Sequence, residues 1–254
     1  MNYFLKINNY TPFQHFENNT SFYIAALIPA RSGSKGLAHK NIKLYKGIPL
    51  LAHSIKIAKN CNLIHDVYVS TDSSEYADIA VQYGAKIPDL RPSSISDDLS
   101  PDIDTFHHFF NYLRMNNLRI PDIIVHLRPT YPNRSLPILN QTISLFIKNY
   151  YSYDSLRTVV PIAKSPYKMY YLDEHRLIPF IKEYKDFNEP YNQARQNFPT
   201  AYLHNGCIDI IKTNIIIQKN KLSGDPILPF IMDEHETDDI DEEKDFNNAE
   251  NKII

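Results

Sequence analysis

The chain has 254 residues, 43% of them hydrophobic and 22% charged, with a formal net charge of -2. That length suffices for one large α/β domain with a buried core, and the near-neutral balance gives no case for nucleic acid or an anionic membrane as partner. Cys61 and Cys207 stand far apart, in no metal-ligand or redox-pair spacing, and read as reduced, buried thiols of a cytoplasmic protein.

No apolar run is long enough to span a membrane. Residues 1–21 lack the apolar segment and cleavage site of a secretory signal and read as a polar extension, leaving 22–254 as the folded domain. Tyr23–Pro29, YIAALIP, is a short buried strand. Pro49–Asn60 places Leu50, Leu51, Ile55 and Ala58 at helical spacing with Pro in the first turn. Asp66–Asp72 is a second strand, followed by a helix that Ser74 caps and Gly84 closes. Asp122–Pro129 is a third strand, Leu136–Tyr151 an amphipathic helix, and Ser155–Ile162 a further strand. Residues 163–199, rich in Tyr, Lys and Pro, break the rhythm and predict an inserted β-rich excursion. Strands at Gly206–Ile211 and Ile227–Ile231 follow, then an acidic segment. Alternation of this kind predicts an open, mostly parallel, doubly wound α/β sheet covered on both faces.

Ligands of such sheets sit beyond the carboxyl ends of the strands, so the loops there hold the candidate site. The first is Ala30–Asn41, ARSGSKGLAHKN, which sets Gly33 and Gly36 among Arg31, Lys35 and Lys40. Glycines allow tight turns with exposed N–H groups, and the cations suit phosphate oxygens. It is neither a P-loop nor a dinucleotide fingerprint. A basic glycine loop alone is more often an ordinary surface turn; its place directly after the first strand argues for phosphate. The acidic complement is Asp239-Ile-Asp241. Extended backbone points both carboxylates the same way, and their repulsion is relieved by a hard divalent cation, commonly Mg2+ with phosphate co-ligands. An isolated acidic run would be only a solvated surface; the pairing with a phosphate loop makes it a metal site.

The segments ARSGSKGLAHKN, VSTD, RPSSISDD, LRPTYPNR, ARQNFP, HNGCIDI and DDIDEEKD occur in an order that resembles the bacterial acylneuraminate cytidylyltransferases, across roughly residues 22 to 250. These enzymes activate sialic, legionaminic or pseudaminic acids. The resemblance implies a Rossmann-like nucleotidyltransferase that uses CTP and Mg2+. A sugar-acid hydroxyl attacks the α-phosphate and pyrophosphate leaves. It implies triphosphate contacts for Arg31, Ser34 and Lys35 with Lys40 nearby, nucleoside contacts for Asn41, Arg91 and Ser100, and metal binding by Asp239 and Asp241. It implies sugar-acid contacts for Arg128, Thr130, Lys168, Arg195 and Asn205, and a catalytic set of Arg31, Lys35, Asp241 and Arg195. Lys168 and Arg195 match residues of an arm that crosses into a partner subunit, so the excursion implies a dimerisation arm and a homodimer.

Departures fall on the sugar side. Arg128 stands where the family commonly has Gln, Tyr131 where it has Ser, His204 where it has Pro, and Asp209 where it has Tyr. Arg for Gln adds a fixed charge and a planar fork, suited to a carboxylate, a phosphate or an acidic neighbour such as Asp97 or Asp98. His126 and His204 are the histidines that bear on a general base, and each reads first as structural. A metal-dependent glycosyltransferase, a non-catalytic nucleotide-binding paralogue, and a nucleotidyltransferase with another base or sugar remain alternatives. Pyrophosphate release from CTP and a sugar acid separates the first, and nucleotide binding without turnover marks the second.

Overall fold

The structure is a computed structural model and describes residues 21–34, 36–233 and 239–250. The predicted extension therefore lies outside the described residues, Ser21 excepted. Six strands form one sheet: β1 (Ile24–Pro29), β4 (Asp66–Ser70), β5 (Ile123–His126), β6 (Ser155–Ile162), β9 (Ala201–Lys212) and β10 (Ile227–Ile231), in the order β10-β6-β9-β5-β1-β4. All neighbours run parallel except β9, which is antiparallel to both β5 and β6. The sheet is thus mixed, and mostly parallel as expected.

Alternation along β1 explains the layering. Ile24, Ala26 and Ile28 face one core, shared with α1 (Leu50–Asn60), α2 (Ser74–Gln82) and α4 (Leu136–Lys148). Ala25 and Leu27 face a second core, shared with α3 (Asp102–Met115) and α5 (Thr213–Lys219). A strand covered on both sides has no polar face, which is why YIAALIP is a continuous apolar run.

Helix α3 was not anticipated, although Phe106, Phe109, Phe110 and Leu113 repeat at helical spacing and are wholly buried. Its polar surroundings and histidines obscure that stripe. Ser73, not Ser74, caps α2, accepting from the Tyr76 amide at 3.4 Å. Gly84 follows α2 at φ +85°, a conformation that disfavours side chains.

Two smaller elements complete the chain. The strand pair β2 (Leu44–Tyr45) and β3 (Ile48–Pro49) leads into α1, and α6 (Glu243–Glu250) packs beside it: Tyr45, Leu50, Ile240, Phe246 and Ala249 form a third apolar cluster. Between β6 and β9 the excursion carries an antiparallel hairpin, β7 (Tyr170–Asp173) and β8 (Arg176–Pro179), outside the main sheet. Tyr167 stacks on Phe198 at 4.4 Å, with Tyr184 against both, and this aromatic knot ties the two ends of the arm together.

Candidate active site

The order of strands sets the crevice. β4 lies on one side of β1 and β5 on the other, so the loops after β1 and β5 diverge at the topological switch point. The loop after β1 is fastened at its base: the Ser32 amide and hydroxyl both donate to Asp72, at 2.8 and 2.8 Å. Asn41 is buried, and its side-chain amide donates to the Arg31 carbonyl at 2.9 Å. The Ser34 amide closes a turn onto the Ser32 carbonyl at 3.0 Å. Lys35 lies outside the described residues.

The far end of the same loop meets the acidic segment. Lys40 donates from Nζ to the Ile240 carbonyl and to Asp241 Oδ1, both at 2.9 Å. Gly36 packs so closely that a Cβ there would stand 2.6 Å from the Asp241 carbonyl oxygen. Only glycine permits that approach. The loop after β5 holds the segment from the other side, the Ile240 amide donating to the Thr130 carbonyl at 3.0 Å. Ile240 is wholly buried while Asp239 and Asp241 flank it on the outside. The carboxylates therefore share a side, as extended spacing predicts, although no strand forms there.

The two acids differ electrically. Asp239 is packed against Thr130 and the Tyr131 hydroxyl, and this partial enclosure together with the Asp241 charge raises its pKa above the ordinary carboxylate value. Asp241 is open to solvent and carries the Lys40 ammonium. Two hard oxygen donors whose charges repel, with a lysine on one of them, suit a divalent cation whose remaining ligands are phosphate and water. Asp239 and Asp241 are the residues that would hold it. Bound there, such an ion neutralises phosphate charge and lowers the pKa of a coordinated hydroxyl.

On the opposite flank the loop between α2 and α3 gathers the other candidates. Arg31 reaches the Asp97 carbonyl and Asp98 carboxylate at 2.5 Å each. Ser100 donates to Asp97 at 2.8 Å. Arg91 is buried, bound to Ser96 at 3.1 Å and Thr105 at 2.6 Å, while its Nη2 has no hydrogen-bond partner among the described residues. Arg128, after β5, donates to the Gly206 carbonyl at 3.1 Å and to Asp209 at 2.9 Å, with a longer 3.4 Å contact to Asp102. Its acidic partners are thus Asp209 and Asp102 rather than Asp97 or Asp98. Asn205 is buried, accepting from Thr158 at 2.6 Å, and its carbonyl meets the Tyr131 hydroxyl.

Lys168 and Arg195 stand apart. Both lie on the arm, where Arg195 donates to the Ala163 carbonyl at 3.1 Å. Neither makes a hydrogen bond or ion pair with the strand-end loops among the described residues. Arg134, which had no assigned role, is buried beneath the site and binds the carbonyls of Cys207 at 2.8 Å and Arg128 at 2.9 Å, and Ser54 at 3.0 Å. The motif LRPTYPNR contains it, but nothing in the sequence distinguishes a buried scaffold arginine from an exposed one.

An open α/β sheet whose basic first loop meets an acid pair beside the switch point is an arrangement suited to nucleotidyl transfer. Comparison with known proteins gives the class. A family model described as cytidylyltransferase matches residues 25–168. The chain is 31% identical over 220 residues to the CMP-N,N'-diacetyllegionaminic acid synthase of Legionella pneumophila, covering 86% of this chain and 90% of that protein. It is 32% identical over 231 residues to the post-translational flagellin modification protein B of Campylobacter coli, covering 89% and 93%. The solved structure of a CMP:2-keto-3-deoxy-manno-octonic acid synthetase complexed with CTP shares the fold, with a TM-score of 0.64 at 14% identity over 90% of this chain and 97% of that one. The protein belongs to the cytidylyltransferase family and is related to the synthetases that make CMP-activated sialic, legionaminic and pseudaminic acids.

Proposed function

We propose that the protein joins CTP to a nonulosonic acid of the sialic, legionaminic or pseudaminic type, releasing pyrophosphate, with Mg2+ at Asp239 and Asp241. The observation that carries this is the contact of Gly36 and Lys40 with Asp241. That contact joins the basic glycine loop to the acid pair across more than 200 residues of chain, which supports reading them as one phosphate- and metal-binding crevice.

Phosphoryl-type transfer asks a protein mainly for alignment and charge neutralisation. Arg31 and Lys35, with Ser34, are assigned to the triphosphate, and Lys40 holds Asp241 in place. Asn41 fixes the loop that approaches the nucleotide, and Arg91 and Ser100 line the nucleoside flank. The Arg91 Nη2, without a hydrogen-bond partner among the described residues, is a donor in need of an acceptor there. Arg128, Thr130 and Asn205 are assigned to the acceptor flank. Lys168 and Arg195, which make no hydrogen bond or ion pair with the other strand-end loops among the described residues, are assigned to the crevice of a second copy. The arm supports this: Leu172, Leu177 and Phe180 are 69%, 67% and 63% exposed, an apolar hairpin that a partner subunit would cover.

The test is a pyrophosphate-release screen of four nucleoside triphosphates against sialic, legionaminic, pseudaminic and Kdo-type acids, with and without Mg2+. The expected result is turnover with CTP, one or more of the first three acids and Mg2+. Asp241→Asn should lower turnover by about a hundredfold or more, in line with loss of a charge-stabilising group. Release with another nucleotide only, or activity indifferent to Asp241, would refute the assignment.

A further inference from the structure

Three of the sugar-side departures, Arg128, His204 and Asp209, turn out to be one cluster. Asp209 is 2% exposed and receives Arg128 Nη1 on Oδ2 at 2.9 Å and His204 Nε2 on Oδ1 at 2.7 Å. His126 and Arg157 stand behind it at 3.9 and 4.0 Å. A carboxylate only accepts, so His204 carries a proton on Nε2, and in the neutral ring Nδ1 is an acceptor. The imidazole is 32% and the Arg128 side chain 29% exposed, so both present an edge outward. Among the described residues, the outward edge of Arg128 is held only by the 3.4 Å contact to half-exposed Asp102. Arg157 Nε is buried with no hydrogen-bond partner among the described residues. Donors therefore exceed acceptors, which suits an anionic ligand.

The cluster's place says which ligand. Arg128 is two residues from Thr130, whose side chain meets Asp239, and its other contact, Asp102, opens α3 beside the nucleoside flank. His204 pairs with Val159 only three residues short of Ile162, where the arm leaves the sheet. The cluster thus lies between the nucleotide loops and the arm, on the flank left for the acceptor. We propose that Arg128 and His204 determine acceptor specificity, the guanidinium taking a carboxylate and the imidazole Nδ1 an adjacent hydroxyl, with buried Asp209 positioning both. Such a pair recognises a 2-hydroxy acid end, the form in which a cyclised 2-keto sugar acid presents its reacting hydroxyl. This inference rests on the function proposed above.

The test compares a sugar acid that the wild-type enzyme turns over with its C1 methyl ester, which keeps the hydroxyl but loses the charge. Wild type should favour the acid by on the order of a hundredfold in kcat/KM, and Arg128→Gln should cut that preference to below about tenfold. His204→Phe should raise the KM for acid and ester alike by about tenfold, because it removes a contact to the hydroxyl that both retain. In each variant the KM for CTP should stay within about twofold of wild type. Asp209→Asn should reproduce both effects. Should it fail to fold, the two partly exposed variants decide the matter alone. An undiminished preference for the acid in Arg128→Gln, or losses that fall on CTP instead, would overturn the proposal. Absence of pyrophosphate release by wild type with every acid would instead sink the function itself, and this inference with it.

Discussion

At the scale of the residue, the tightest constraint is Gly36. A methyl group there would run into the Asp241 carbonyl, which is backbone and cannot swing aside. Gly36→Ala should push the acid pair out of place and cut turnover at least about tenfold, the sort of loss that a small misplacement of a catalytic group causes. The sheet is untouched, so the melting temperature should move little; wild-type turnover in Gly36→Ala would show that the close approach is dispensable. Much of this scale was legible in advance. The spacing of Asp239 and Asp241 foretold their shared side, and the basic loop was recognisable from its glycines and its place after a strand. What was not legible is partnership. That Asn41 binds its own loop, that Arg134 is a buried strut, and that Asp209 gathers Arg128 and His204 all depend on which distant segments meet, and no local pattern encodes that.

At the scale of the element, the arm is the most unusual part. Strand β7 is exposed along its full length, and β8 offers it no core. A two-stranded hairpin is marginal in water without something to pack on. It pairs regularly, Tyr170 opposite Pro179 through Asp173 opposite Arg176, and the partner subunit proposed above would give it a surface to pack on. Replacing both Leu172 and Leu177 by Glu should convert a dimer to a monomer in sedimentation or light scattering, and should lower activity if Lys168 and Arg195 serve the neighbouring crevice. A dimer that survives both changes would place the subunit contact elsewhere. The break in rhythm at residues 163–199 revealed that an arm exists. Helix α3 is hidden in the sequence because His107, His108 and Asn111 interrupt its stripe, and β9's antiparallel direction cannot be read from its apolar run.

At the scale of the whole molecule, stability and acidity are linked through the middle of the sheet. His126 on β5 is enclosed by Phe106, Arg128, Asp209, Asp102 and Arg134, and burial, aided by the Arg128 charge, lowers its pKa from 6.5 to about 4. The unfolded chain binds that proton near pH 6.5 and the folded chain does not until about pH 4, so stability should fall as the pH drops through that window. Asp209 acts lower. Burial alone would raise its pKa, but the His204 hydrogen bond and the His126 and Arg128 charges outweigh it and hold the carboxyl well below the ordinary range. Its contribution therefore persists through that window and goes only at stronger acid. Urea unfolding at pH 7 and pH 5 should show a loss in wild type that is smaller in His126→Gln; equal losses would remove His126 as the cause.

The position of β9 also bears on how the protein is made. It fills the gap between β5 and β6, two strands that leave the ribosome well before it does. Until residue 212 has been synthesised those earlier strands have no common neighbour, and until residue 241 follows, Lys40 has no carboxylate to hold. Nascent chains of this enzyme therefore carry a half-built sheet with open edges until β9 emerges, and the contact between the basic loop and Asp241 forms later still.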